Sequence, residues 1–306
     1  MDFATVKDIL KLTRGFASIA FVWYLVGAFF ALLIGAMFDA GKLILGYCIV
    51  LPGVMVGTLT NSYYDVAVDK HSTATPVSGG SMVLGDRPEL MKTIRNLIVF
   101  LFSLSLVLGL VFTIVFSYSV TFFAFIVVAD FLAWAYTAPP LRLVYRGFGE
   151  LWTMVMGGFV IGGFGYFVVK ETIDLTYVLF SIPIMLMMFA FAFYVEIPDR
   201  NADLQGHKKT IVVRSDERFG FIIGTLALVG ATVCFLLFYL LRVFPSSGSF
   251  LIIGLYSIIP VALAIQGLRK YMADTATMAP SVFRSSISIL SVIIFIDAYF
   301  VYAIVM

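Results

Sequence analysis

Apolar runs of about twenty residues, each closed by a short polar stretch, return along the whole chain, and no other feature constrains its fold as tightly. As an α-helix, a run of that length crosses roughly 30 Å of hydrocarbon. In lipid every backbone polar group must be satisfied internally, which leaves helices or a closed barrel. The runs predict nine transmembrane helices, over 16–38, 43–63, 94–116, 120–136, 151–169, 177–195, 219–241, 250–268 and 287–305. The fourth is the shortest and carries Asp130. Composition agrees, with 61% hydrophobic and 12% charged residues, against roughly 45–50% and 25% in globular domains. A net charge of +2 gives no reason to expect a nucleic-acid partner. The first run is too long for a signal-peptide core and no small-residue cleavage pattern follows it, so it is expected to stay as a span. Cys48 and Cys234 lie in apolar runs without metal-ligand spacing and read as packing residues. The expected fold is therefore all-α: one membrane-embedded domain over 1–306, with nine helices around a central cavity.

An odd number of spans places the N-terminus and the loops after helices 2, 4, 6 and 8 on one face. Seventeen of the 20 lysines and arginines fall there, and only Lys42, Lys170 and Arg242 fall on the other. By the positive-inside rule the crowded face is cytoplasmic in an integral protein of the cell membrane. The two longest loops, about 64–93 and 196–218, share that face. Loops of that length are more often functional than mere connectors.

Both of those loops begin with carboxylates. Asn61, Asp65 and Asp69 recur every fourth residue at the end of helix 2, and so share one helical stripe. At the end of helix 6 Asp199 and Asp203 are again four apart, with Glu196 a turn earlier. Stacked carboxylates repel one another and are costly to desolvate, by about 2–3 kcal/mol each at the bilayer centre and less near its surface. A divalent cation offsets that charge. Hard oxygen ligands without histidine or cysteine in register favour Mg2+, which keeps coordination positions for phosphate oxygens. One such pair alone reads equally well as solvated charge at a helix end, whereas two on one face are harder to dismiss.

Basic residues complete the set. Arg142 and Arg146 follow helix 4 on the same face, and Lys208 and Lys209 follow the second acidic cluster. All four are suited to diphosphate oxygens, although the two arginines taken alone read first as positive-inside anchors. His71 and His207 flank the acidic clusters and are expected to be plain loop residues, while Asp130 and Asp297 lie within spans with no role assigned. Gly158 and Gly162 form a G-x-x-x-G suited to close helix packing. Pro52, Pro183 and Pro260 are expected to kink helices 2, 6 and 8. Some of the 31 phenylalanines could line a channel and shield a cation.

At these residues the chain resembles the UbiA superfamily of intramembrane prenyltransferases. That family has nine helices and two Asp-rich motifs, N-D-x-x-D-x-x-x-D and D-x-x-x-D, which match Asn61, Asp65, Asp69, Asp199 and Asp203. The stretch from Tyr136 through Pro139, Pro140 and Arg142, and the run Tyr145 to Glu150, are similar to the family's segment after helix 4. Arg14 stands where members often carry Arg-Pro, here followed by Gly15. In one departure, Ser62 replaces the second Asp of the first motif. Ser62 and the stretch Thr75 to Gly80 resemble the naphthoate and vitamin K branch more than the archaeal lipid branch.

The resemblance implies Mg2+ held by Asn61, Asp65, Asp69, Asp199 and Asp203, with the four aspartates and Tyr136 at the reacting end. Arg14, Arg142, Arg146, Glu196, Lys208 and Lys209 would then bind substrate. The expected reaction ionises an isoprenyl diphosphate and passes the prenyl group to a hydrophobic acceptor, either an aromatic quinone precursor or a glycerol-phosphate ether. A transporter is the rival from another class, but transporters place their polar sites near the midplane and these carboxylates sit at one face. A CDP-alcohol phosphotransferase needs D-G-x-x-A-R, which does not precede Asp65.

Overall fold

The computed structural model describes residues 3–13, 16–71, 80–272 and 278–306, and among them every regular element is helical. A short amphipathic helix, α1 (Phe3–Leu12), precedes α2 (Phe16–Leu33) and α3 (Ala40–Tyr64). The next connection holds two one-turn helices, α4 (Val66–Asp69) and α5 (Val83–Asp86), before α6 (Met91–Val115) and α7 (Val120–Ala135). A span in two parts, α8 (Gly149–Val155) and α9 (Ile161–Lys170), is joined by a π-turn over Met156–Val160. Then follow α10 (Leu175–Gln205), the short α11 (Ile211–Arg214) and α12 (Glu217–Leu240). The chain closes with α13 (Ser247–Tyr256), α14 (Ile258–Met272) and α15 (Met278–Val305).

Seven helical stretches are long and apolar enough to cross a membrane: Ala40–Tyr64, Pro88–Val115, Gly149–Lys170, Leu175–Gln205, Glu217–Leu240, Ser247–Met272 and Pro280–Val305. The first and fourth expected spans form apolar helices too, but shorter ones. The 16 residues of α7 rise about 24 Å, short of the roughly 30 Å core. Seven of the nine expected spans thus meet the length criterion.

Local chemistry sets the helix starts. Asp39, Asp174 and Asp216 cap α3, α10 and α12 by accepting from the amides of Lys42, Tyr177 and Phe219 at 2.9, 3.1 and 2.7 Å. Each satisfies one of the amides that a helix N-terminus leaves unpaired. Prolines act less uniformly than expected. Pro52 and Pro183 lie inside continuous helices, whereas the eighth span breaks at Ser257, three residues before Pro260. The Ser257 hydroxyl bonds Thr232 of α12 at 2.9 Å, which gives the break a partner. The largest correction concerns the two long connections. Helix α10 runs through Pro198 to Gln205, ten residues beyond its expected end, and α4 and α5 occupy part of the first connection.

Small residues bring the helices together. A Cβ on Gly27 of α2 would stand 1.7 Å from the Gly162 carbonyl oxygen of α9, and one on Gly158 would stand 2.4 Å from the Met185 Cα of α10. The G-x-x-x-G serves close packing as expected, against α2 at Gly162 and α10 at Gly158. One apolar core joins α2 with α10, α12, α13 and α15 around Phe30, Phe180, Phe250 and Phe300, and a second joins α3, α7 and α9 around Phe122 and Phe167. Large apolar side chains such as Val99, Phe100, Val107 and Ile114 of α6 face outward, as lipid contact requires.

Candidate active site

A cavity of about 320 Å3 lies among α2, α3, α7, the α8–α9 span and α10, at the seam between the two cores. Its mouth is lined by Asn61, Asp65, Asp69, Glu196, Asp199, Asp203 and Lys208. The two acidic clusters, far apart in sequence, thus face one space from opposite walls.

The first wall depends on a break that keeps its hydrogen bonds. Helix α3 stops at Tyr64 because Asp65 leaves helical geometry, with φ −95° and ψ 9°. The Asp65 amide still donates to the Asn61 carbonyl at 3.0 Å, and the Asp69 amide to the Asp65 carbonyl at 2.8 Å. The four-residue stripe therefore survives the bend. Gly80 packs directly on Asp69, where an added Cβ would lie 2.0 Å from the Asp69 Cγ. The second wall is the extension of α10, which keeps Glu196, Asp199 and Asp203 in one helical register.

Lys208 joins the walls. After Asp203 the chain turns back through His207, in the left-handed region at φ 60°, and the Lys208 amide donates to the Asp203 carbonyl at 2.9 Å. The Lys208 ammonium then lies 2.8 Å from Asp65 Oδ2 and 3.1 Å from Asp203 Oδ1. Burial opposes its charge, but the carboxylates of Asp65 and Asp203 outweigh burial and hold the lysine well above its ordinary pKa. Tyr145, from a 3-10 turn over Leu143–Arg146, donates its hydroxyl to Asp65 Oδ1 at 2.6 Å. Glu150 Oε1 accepts from the Ile211 amide and so ties the start of the α8–α9 span to the connection carrying Lys208. In the sequence Tyr145 and Glu150 are only the two ends of one run, and nothing local marks their partners.

The other sequence candidates divide. Tyr136 lines the cavity with its ring 4.3 Å from that of Trp152, and Glu196 is buried with Oε2 lacking a hydrogen-bond partner. Arg142, Arg146 and Lys209 are exposed and do not line the cavity. Arg142 lies over the Tyr145 ring at 4.8 Å, and Arg146 donates to the Pro140 carbonyl at 2.8 Å. Arg14 and residues 75–79 lie outside the described residues. Ser62 is buried away from the cavity. Of the phenylalanines only Phe164 and Phe191 line the space among the described residues, and the other aromatic rings in the lining are those of Tyr136, Trp152 and Trp23.

A divalent cation fits this donor set under one condition. Among the described residues no three acidic, histidine or cysteine side chains converge closely enough to hold a metal alone. Asp65 and Asp203 meet instead through the positive charge of Lys208, while Asn61 Oδ1 is buried without a hydrogen bond. Carboxylate and amide oxygens on two walls suit Mg2+ if phosphate oxygens of a ligand complete its shell, as they commonly do. Below the mouth the walls turn apolar, with Val54, Met156, Val160 and Met188 among them. The arrangement is a charged clamp over an apolar slot.

The family model for UbiA prenyltransferases matches residues 20–287 of this chain. A 1,4-dihydroxy-2-naphthoate octaprenyltransferase from Bacillus subtilis (strain 168) is 28% identical over 156 residues. That match takes in 51% of this chain and 49% of the relative, so the chain spans about half the length of the curated relative it matches. The fold is similar to a UbiA homologue from Archaeoglobus fulgidus bound to DMAPP and Mg2+, with TM-score 0.65, 13% identity, and 98% and 99% of the two chains covered. A UbiA homologue from Aeropyrum pernix K1, without ligand, gives TM-score 0.67 at 15% identity, covering 92% and 97%. A digeranylgeranylglyceryl phosphate synthase gives 0.62 at 17% identity, covering 99% and 100%.

Proposed function

The chain belongs to the UbiA prenyltransferase family, and from that premise we propose that it moves a prenyl group from a Mg2+-bound isoprenyl diphosphate onto a lipid-soluble aromatic acceptor. One observation carries the reading: Asp65 and Asp203 face each other through Lys208 at the mouth of a cavity whose remaining walls are mostly apolar. The diphosphate occupies that mouth and the prenyl chain the slot below. Asn61, Asp65, Asp69, Asp199 and Asp203 hold the metal, which supplies Lewis-acid stabilisation of the departing diphosphate. Lys208 adds a fixed positive charge beside the leaving group, and Tyr145 orients Asp65 through its hydroxyl. Tyr136 and Trp152 present π faces to the allylic carbon as it gains positive charge, the cation–π use of such rings. The apolar walls keep water from capturing that carbon before the acceptor does.

The nine-span arrangement belongs to the same reading, with α2 and α7 as the two short spans and the mouth on the cytoplasmic side. Arg142 and Arg146 then serve as interfacial anchors on that side. A transporter needs a polar path to both faces, whereas the charged groups that line this cavity, Asp130 excepted, gather at one end. A glycerol-phosphate ether acceptor would call for basic residues beyond the one that serves the donor. Among the described residues Lys208 alone is a basic lining residue, which favours the aromatic acceptor.

The test uses purified protein in lipid nanodiscs with geranyl diphosphate and Mg2+. Prenyl product and released diphosphate are expected with a dihydroxynaphthoate acceptor and not after chelation. Product with a glycerol-phosphate ether alone would overturn the acceptor assignment, and failure to consume any prenyl diphosphate would overturn the function.

A further inference from the structure

We propose that α1 docks on the anionic headgroups of the bilayer leaflet at the mouth end, with Val6 and Leu10 in the apolar boundary and Lys7 and Lys11 on lipid phosphate. The contact does not depend on the reaction proposed above. Successive residues of an α-helix turn by about 100°, which sorts the ten residues of α1 into faces. Thr5, Ile9 and Leu12 share one face and are buried. Val6 and Leu10 form the next flank and are exposed, by 38% and 61%. Lys7 and Lys11 follow around the helix, exposed and opposite the buried face. Asp8, the one acidic residue of α1, closes the circle on the far flank, where Arg87 binds it at 2.7 Å.

Two contacts fix the roll of the helix. Its buried face packs in a third apolar core with Val56 and Leu59 of α3 and Ile94 and Ile98 of α6. Val56 and Leu59 stand on the side of α3 away from the cavity, and only a turn or so from the end of that helix at Tyr64. The Asp8–Arg87 pair then holds the far flank to the connection between α5 and α6. Val6 and Leu10 are left facing outward.

The surroundings say what covers them. Tyr63 and Trp134 pack on the same core, and tyrosine and tryptophan are the side chains enriched where a bilayer meets water. On α6 the outward side chains Val99 and Phe100, 63% and 59% exposed, begin one turn beyond Ile94 and Arg95. The lipid-facing belt thus starts at the level of α1. Lys92 and Arg95 are exposed at the same end. An apolar flank beside a basic face suits a helix lying in the interface, since lysine stems run along apolar surface while their ammonium groups reach out to phosphate. Anionic headgroups attract such segments, and neutral ones carry no net charge to do so. Arg87 keeps the one carboxylate turned away. A protein partner needs a larger surface, roughly 20–30 residues a side, than these four outward side chains offer.

The test uses the full chain in nanodiscs that hold one copy each. With Cys48 and Cys234 replaced by serine, Leu10→Cys carries a nitroxide spin label, and its accessibility to oxygen is compared with that to a neutral water-soluble nickel chelate. Neutral reagents are not themselves drawn or repelled by the lipid charge. The oxygen-to-nickel ratio is expected to be at least about fivefold higher in phosphatidylglycerol than in phosphatidylcholine, the factor that one lysine contributes at an anionic surface. Lys7→Glu combined with Lys11→Glu should bring the phosphatidylglycerol ratio down to the phosphatidylcholine value. Should that double reversal unfold, Lys7→Gln leaves the Asp8–Lys11 contact of 3.6 Å in place and is expected to lower the ratio by itself. Equal ratios in the two lipids, whether the label is in water in both or in lipid in both, overturn the proposal. A lipid difference that survives the loss of the lysine charge overturns it as well.

Discussion

At the scale of single residues, the site is governed by what Lys208 does to two facing carboxylates. Its ammonium lies 2.8 Å from Asp65 and 3.1 Å from Asp203 with little access to water. Removing one partner of a buried pair costs about 3–5 kcal/mol because the remaining charge stays desolvated. Lys208→Met is therefore expected to lower the thermal midpoint in the absence of metal, and added Mg2+ should raise the variant's midpoint more than that of the unmodified protein. Equal midpoints with and without the substitution would show that the bridge is idle. The pH sign follows from the raised lysine pKa. The stabilisation is fully present below the unfolded lysine value of about 10.4 and is lost only as pH rises through the higher folded value. Stability profiles of the two proteins should thus run parallel from pH 6 to 9. Convergence within that window would mean that the lysine titrates there. For the reaction, Asp65→Asn and Asp199→Asn should each lower turnover about a hundredfold or more, as roughly 3 kcal/mol of lost charge stabilisation implies. Retention of half the activity at saturating Mg2+ would remove either residue from the metal set.

At the scale of elements, the cavity exists because glycines let some helices touch while others stay apart. Gly27 sets α2 on α9 with no room for a methyl group, the nearest backbone oxygen being 1.7 Å from the position of a Cβ. Gly27→Ala must separate the two helices and is expected to cost about 1–3 kcal/mol, the usual range for overpacking. Gly248 in α13 has nothing within 4 Å of an added Cβ, so Gly248→Ala should be neutral or slightly stabilising. Denaturation of the two variants side by side checks the contrast, and a Gly27→Ala protein as stable as the parent would mean that α2 is free to shift. The π-turn over Met156–Val160 belongs to the same scale. It lies in the wall of the cavity, with Met156, Gly157 and Val160 lining it, and π-turns are frequent where a helix serves a site.

At the scale of the whole molecule, charge segregation makes a directional prediction. With 17 of 20 basic residues assigned to one face, the mouth should open to the cytoplasm. In a background where Cys48 and Cys234 are replaced by serine, a cysteine introduced at the exposed Lys209 should react with an impermeant maleimide only in inverted vesicles. A cysteine at Glu171, at the other end of the α8–α9 span, should react only from outside intact cells. The opposite pattern would invert the topology and place the diphosphate site outside.

The helical class, the approximate position of each long apolar helix and the two acidic stripes are legible in the chain alone, because hydrophobic length and four-residue spacing are local properties. The end of α10 and the break in the eighth span are less legible. The apolar run ends at 195, yet α10 continues through Pro198 to Gln205, and the break at Ser257 has its partner, Thr232, on another helix. Which candidates converge was decided only by tertiary structure. Lys208 and Lys209 are indistinguishable neighbours in sequence, and the turn at His207 directs one between the carboxylates and leaves the other exposed. Tyr145 reaches Asp65 across 80 residues through three-dimensional packing alone. Spacing along a helix reports which side chains share a face. Which faces meet depends on packing between helices distant in sequence, and no single segment encodes it.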